Sequence, residues 1–123
     1  MDILHIDDSP EICKLYSDMF ATSNHSITSV TDGKKGLELV SKKKYDLILL
    51  DMCMPKYSGM EFLRDLKIKM ASELKKVIIV SVLQINEQQT QGFLKLGIKS
   101  VLEKPVKIQK FEGIIQNMPQ IKN

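Results

Sequence analysis

Four short stretches of the chain carry side chains able to do chemistry together. Asp7-Asp8 follows the apolar run Ile3-Leu4-His5-Ile6, and Asp51 follows Leu47-Ile48-Leu49-Leu50. Ser81 follows Val77-Ile78-Ile79-Val80, and Lys104-Pro105 comes shortly after Ser100-Val101-Leu102. A carboxylate can attack phosphorus and become an aspartyl phosphate. Phosphoryl transfer needs the donor held in line and the charge on its equatorial oxygens neutralised. Three neighbouring carboxylates repel one another unless a cation is present, and magnesium prefers hard oxygen ligands while keeping some waters. A lysine ammonium supplies a second positive charge, and a serine hydroxyl can donate to a further phosphoryl oxygen. Each residue also has a plainer reading when taken alone. Asp51 suits the start of a turn, Asp7-Asp8 a helix cap, Ser81 a strand end, and Lys104 a surface lysine before a turn.

The elements around these residues decide whether they meet. Ile3 to Ile6 reads as a short strand. Ser9-Pro10-Glu11 then opens a helix, with Ser9 as the N-cap, Pro10 at the first position and Glu11 at the positive end of the dipole. Ile12, Leu15, Tyr16, Met19 and Phe20 recur at helical spacing, which predicts one inward stripe. A polar loop, Thr22 to Ser26, leads to an alternating strand over Ile27 to Thr31. Asp32-Gly33 is a turn, and Lys34 to Lys43 a helix with Leu37 and Val40 inward. Tyr45 to Leu50 is a strand apolar enough to be buried on both faces. After Pro55 and Gly59 a helix carries Met60, Leu63, Leu66 and Met70 inward. Lys76 to Val82 is another buried strand. Glu87 to Leu96 is a helix ended by Gly97. Ser100 to Leu102 is a final strand, and Val106 to Met118 a last helix with Phe111, Ile114, Ile115 and Met118 inward.

Strand and helix thus alternate five times, which argues an α/β fold with a parallel sheet and helices on both faces. Right-handed crossovers put every carboxyl end of the strands on one edge. Asp7, Asp8, Asp51, Ser81 and Lys104 share that edge, where open α/β sheets bind their ligands.

Composition bounds the rest. The 123 residues suit one domain, 1–123, with its own core. Hydrophobic residues make up 43% and charged residues 27%, as in ordinary globular proteins. A net charge of +3 is too weak to argue nucleic-acid binding. No apolar run approaches the ~20 residues of a membrane span, and Asp2, Asp7 and Asp8 spoil a signal peptide. The expected compartment is the cytoplasm, with Cys13 and Cys53 reduced. His5 and His25 read as structural or solvated, since neither has a partner at metal spacing. Lys42-Lys43-Lys44 reads as a solvated helix end.

On these residues the chain resembles a receiver domain of two-component signalling, of the single-domain chemotaxis-regulator type. The resemblance spans the whole chain and rests on Asp7-Asp8, Asp51, Ser81 and Lys104-Pro105, in order, at the ends of strands one, three, four and five. It implies a doubly wound, flavodoxin-like (βα)5 fold with strand order 2-1-3-4-5. It implies that Asp51 accepts the phosphoryl group and that Asp8, Asp51 and the main-chain carbonyl of Cys53 ligate Mg2+. Asp7 would reach the ion directly or through water. Lys104 would pair with the phosphoryl oxygens, Ser81 would respond to them, and the Lys104-Pro105 peptide would be cis.

The same resemblance implies the partners. A sensor histidine kinase would donate the phosphoryl group. A downstream protein would read the face made by the fourth helix, fifth strand and fifth helix, where Lys95, Lys99, Lys107 and Lys110 suit an acidic surface. The chain would be a monomer or weak dimer without an output domain, and no enzyme beyond its own phosphorylation and dephosphorylation. Two positions depart from the family pattern. Val101 stands where the family often has an aromatic that changes rotamer on activation. Cys53 stands two residues after the phosphoacceptor, beside the path of attacking water. Two other readings stay open. A magnesium phosphohydrolase with an aspartate nucleophile would want a second aspartate where Cys53 stands. A phosphorylation-independent interaction module would not need the full acidic set.

Overall fold

The computed structural model describes residues 1–118; the domain reading above also takes in 119–123, which lie outside the described residues. Five strands alternate with five helices in chain order: β1 Asp2–Ile6, α1 Pro10–Phe20, β2 Ser26–Val30, α2 Gly33–Lys42, β3 Leu47–Asp51, α3 Gly59–Met70, β4 Val77–Ser81, α4 Glu87–Leu96, β5 Ser100–Glu103 and α5 Ile108–Gln116. All the pairings are parallel, and the sheet order is β2-β1-β3-β4-β5. The expected α/β doubly wound arrangement is therefore the observed one.

The sheet is covered on both sides because β3 and β4 are buried along their whole length. Alternate side chains of one strand enter different cores. Leu4, Ile6, Ile48, Leu50, Val77 and Ile79 meet α2 and α3 through Leu37, Val40, Phe62, Leu63 and Leu66. Ile3, Leu47, Leu49, Ile78, Val80 and Leu102 meet α1 and α5 through Tyr16, Phe20 and Phe111. Register then places the site. Ile6 pairs with Leu50, so the next residue of each strand, Asp7 and Asp51, emerges side by side.

The helices begin where side chains can satisfy their first amides. The Ser9 hydroxyl accepts from the Ile12 N–H at 3.3 Å, and the Ser58 hydroxyl from Glu61 at 3.1 Å. Asn86 and Gln89 exchange hydrogen bonds in a capping box. Gly97 closes α4 at φ 112°, a left-handed turn that favours glycine.

Three expectations need correction. Leu15 is 53% exposed and Met60 55% exposed, so neither faces inward. On α1 the buried stripe runs through Cys13, Tyr16 and Phe20, and Leu15 falls on its outer flank. On α3 Phe62 takes the inward place given to Met60, which lies on the outer side of the first turn. The last helix starts at Ile108 rather than Val106. The Lys104-Pro105 peptide is cis, Lys107 keeps an extended conformation, and Val106 is spent sealing the second core. A 3-10 turn over Ala71–Lys76, absent from the sequence reading, buries Leu74 between α3 and β4.

Candidate functional site

At the carboxyl edge of the sheet, one carboxylate oxygen from each of Asp7, Asp8 and Asp51 lies within 4.8 Å of the others. Asp7 and Asp51 are buried and Asp8 is exposed. Lys104 arrives from the other side of the sheet, from the end of β5. Its ammonium donates to Asp7 Oδ2 at 2.7 Å and stands 3.7 Å from Asp51 Oδ1. Three acids against one ammonium leave a surplus of negative charge, and all the facing atoms are hard oxygens. This donor set fits a magnesium ion, which keeps waters and uses few carboxylates.

The two buried acids are held differently. Asp7 is engaged at both oxygens, by Lys104 and by the Ser9 N–H at 3.0 Å. Among the described residues Asp51 accepts only from the Cys53 N–H, at 3.3 Å. Burial pushes the Asp51 carboxyl above its ordinary value, and the negative charge of Asp7 adds to the effect against the pull of Lys104. A partly desolvated carboxylate with unfilled acceptor capacity is a better nucleophile than a fully hydrogen-bonded one. Ser81 is buried at the end of β4, and its hydroxyl accepts from the Leu83 N–H at 3.1 Å. Val82 and Leu83, the next residues, are exposed.

His5 and Cys13 back the site from behind, and of the two readings offered for His5, structural or solvated, the structural one holds. Its ring is 2% exposed and stacks on Tyr16 with centroids 4.2 Å apart. Nδ1 lies 3.1 Å from the Ser29 hydroxyl and Nε2 4.0 Å from Asp7 Oδ2. Burial lowers its pKa from 6.5 to about 4, although Asp7 opposes the shift. His5 is thus a neutral ring at neutral pH. Burial also raises the Tyr16 hydroxyl, to about 12. The Cys13 thiol donates to the Asp7 carbonyl at 3.4 Å, and burial raises its pKa. A polar residue inside the apolar run before an acidic pair was the available signal for His5. Cys53 is exposed at the rim. His25 lies away from the acidic cluster, 3.4 Å from Glu112.

Comparison with known proteins agrees with this geometry. The response regulator receiver domain matches residues 3–116, and the chain belongs to that family. A probable chemotaxis protein CheY of Rhizobium etli is 29% identical over 115 residues, covering 93% of this chain and 88% of that protein. A two-component response regulator of Oryza sativa subsp. indica is 30% identical over 107 residues, covering 85% and 80%. Among solved structures, the receiver domain of Francisella response regulator 1452 superposes with a TM-score of 0.78 at 29% identity, covering 94% of this chain and 91% of that one. The Vibrio cholerae chemotaxis protein CheY4 reaches 0.82 at 20% identity, covering 96% and 98%. The chain is a receiver domain of the two-component response-regulator type, part of a signalling family that works between histidine kinases and effectors.

Proposed function

We propose that residues 1–123 form one receiver domain, cytoplasmic, that accepts a phosphoryl group on Asp51 from a kinase phosphohistidine. The observation that carries this reading is the meeting of Asp7, Asp8, Asp51 and Lys104 at one sheet edge. An Asp51 carboxylate oxygen attacks phosphorus, the phosphorus–nitrogen bond breaks, and the electron pair leaves with the imidazole. Asp8, Asp51 and the Cys53 carbonyl would hold Mg2+, with Asp7 close by. Bound there, the ion would neutralise charge on the phosphoryl oxygens. Asp8 suits direct coordination because it is exposed, whereas both oxygens of Asp7 are already taken.

Lys104 already stands between Asp7 and Asp51, so a small swing carries its ammonium from Asp7 onto a phosphoryl oxygen. Ser81 would release the Leu83 amide and donate to another. That exchange alters the β4–α4 loop, Val82–Asn86, and gives the two states the differential contact a population shift requires. A downstream protein would read the change at α4, β5 and α5, with the chain a monomer or weak dimer.

Incubation with acetyl phosphate and magnesium, read by intact mass, separates the readings. A receiver acquires one labile phosphoryl adduct that lasts after the donor is removed. Turnover of acetyl phosphate with no adduct would indicate a phosphohydrolase, and the absence of both would indicate a bare interaction module.

A further inference from the structure

The opposite end of the molecule carries a concentration of positive charge that phosphotransfer does not use. Lys42, Lys43 and Lys44 at the end of α2 face Lys69, Lys75 and Lys76, from the end of α3 and the 3-10 turn, across a cleft of about 640 Å³. One acid, Glu73, lines it with them, paired to Lys76 at 2.8 Å. Lys42 is tied to Glu38 and Lys43 to Asp2. Among the described residues Lys44, Lys69 and Lys75 have no acidic side chain within ion-pair distance, and all three are exposed. The whole chain nets only +3, so everything outside this six-lysine, one-acid cleft is net negative.

Helix dipoles explain some of this. Lysines complement the negative ends of α2 and α3. They do not account for Lys75 and Lys76, which end the separate 3-10 turn and line the same cleft. We infer that this cleft docks an acidic stretch of a partner protein. Lysines are flexible point charges, able to follow irregularly spaced carboxylates. The lining has neither the arginine forks that grip phosphates nor an exposed aromatic on which bases stack. Its concave shape suits a polypeptide with projecting side chains better than the plane of a membrane.

The placement also has a consequence for signalling. Lys43 and Lys44 shortly precede β3, whose far end is Asp51, and Lys76 directly precedes β4, whose far end is Ser81. A five-residue strand spans about 16 Å, so cleft and phosphorylation site can be occupied together. The docking is therefore independent of Asp51 and holds whether or not the domain is phosphorylated.

A fluorescein-labelled glutamate-rich peptide of about ten residues, titrated at low salt and followed by anisotropy, tests the assignment. Lys44→Gln/Lys69→Gln/Lys75→Gln should bind about tenfold more weakly, as expected when three exposed positive charges are removed together. Circular dichroism checks that the variant is folded, and the three single substitutions serve if it is not. Lys14→Gln/Lys34→Gln/Lys56→Gln, three exposed lysines outside both the cleft and the α4–β5–α5 face, should stay within about twofold of wild type, and so should Asp51→Asn, which removes only the phosphoacceptor. Equal weakening of both triple variants would overturn the proposal. So would undetectable peptide binding, or tighter binding to duplex DNA or to phosphatidylserine vesicles than to the peptide.

Discussion

Gly59 opens α3 packed against the backbone of Asp51 and Met52 at the end of β3, and replacing it with alanine should damage both fold and site. A Cβ there would lie 2.7 Å from Met52 Cα and 2.9 Å from the Asp51 carbonyl oxygen, with Met52 Sδ at 2.6 Å. The sulfur can swing away, but the two backbone atoms cannot. The N-terminus of α3 must retreat by several tenths of an ångström, stretching the hydrogen bond from the Gly59 N–H to the Met52 carbonyl, now 3.3 Å. Such overpacking costs about 1–3 kcal/mol. Alanine returns at most ~1 kcal/mol of helix propensity, and less in the first turn. The net loss should be roughly 1–2 kcal/mol, a fall of about 4–8 °C in Tm for a domain of this size. The retreat also drags Met52 and Cys53, so magnesium affinity should fall several-fold. Gly92→Ala provides the contrast, since nothing lies within 4 Å of its Cβ position. That change should raise stability by about 0.5–1 kcal/mol and leave the metal untouched. Thermal melts followed by circular dichroism, with magnesium titrations, decide the matter. A Gly59→Ala protein that melts at or above wild type and binds magnesium normally would refute the reasoning.

Three further outcomes follow from the site. Asp8→Ala should bind magnesium much more weakly by isothermal titration, and equal affinity would remove Asp8 from the ligand set. Ser81→Ala should still be phosphorylated but lose the beryllofluoride-induced gain in partner affinity, whereas Val101→Ala, half-buried, should cost about 1 kcal/mol of packing and keep it; the reverse pattern would move the switch to Val101. Because His5 titrates at about 4 folded against 6.5 unfolded, its contribution is present above pH 6.5 and is lost as pH falls toward 4, worth about 3 kcal/mol in all. Urea unfolding across that range should show a smaller acid loss in His5→Leu, and parallel curves would contradict the assignment.

The sheet was legible because β3 and β4 are unbroken apolar runs and α1 to α4 each have a readable start or stop, whereas α5 begins after Lys107 with no side-chain cap and its start was misplaced. Glu87–Leu96 matched its expected bounds, fenced by Asn86 and Gly97. Leu15 and Met60 misled because periodicity gives a helix a face but not its width, and Phe62 filled the place Met60 would have had. The 3-10 turn was hidden because Ala71–Lys76 carries one buried apolar residue, Leu74, too little to show a period. The acids and lysine of the site were legible as residue types at strand ends. Their hydrogen bonds were not, since the share of Asp7 between Ser9 and Lys104 depends on side-chain packing across several elements. The lysine cleft was invisible for a like reason: Lys42–Lys44 and Lys75–Lys76 are far apart in sequence and meet only where α2 and α3 end together.

The central claim is that Asp51 itself receives the phosphoryl group. After reaction with acetyl phosphate and magnesium, borohydride converts an aspartyl phosphate to homoserine and leaves free aspartates intact. Trypsin then releases the peptide from Tyr45 to Lys56, which contains both Asp46 and Asp51. Sequencing by mass spectrometry should find homoserine at position 51 with aspartate retained at 46, and no homoserine in the Asp51→Asn protein. Homoserine at Asp7, Asp8 or Asp46, or a phosphoryl adduct persisting in Asp51→Asn, would contradict the account.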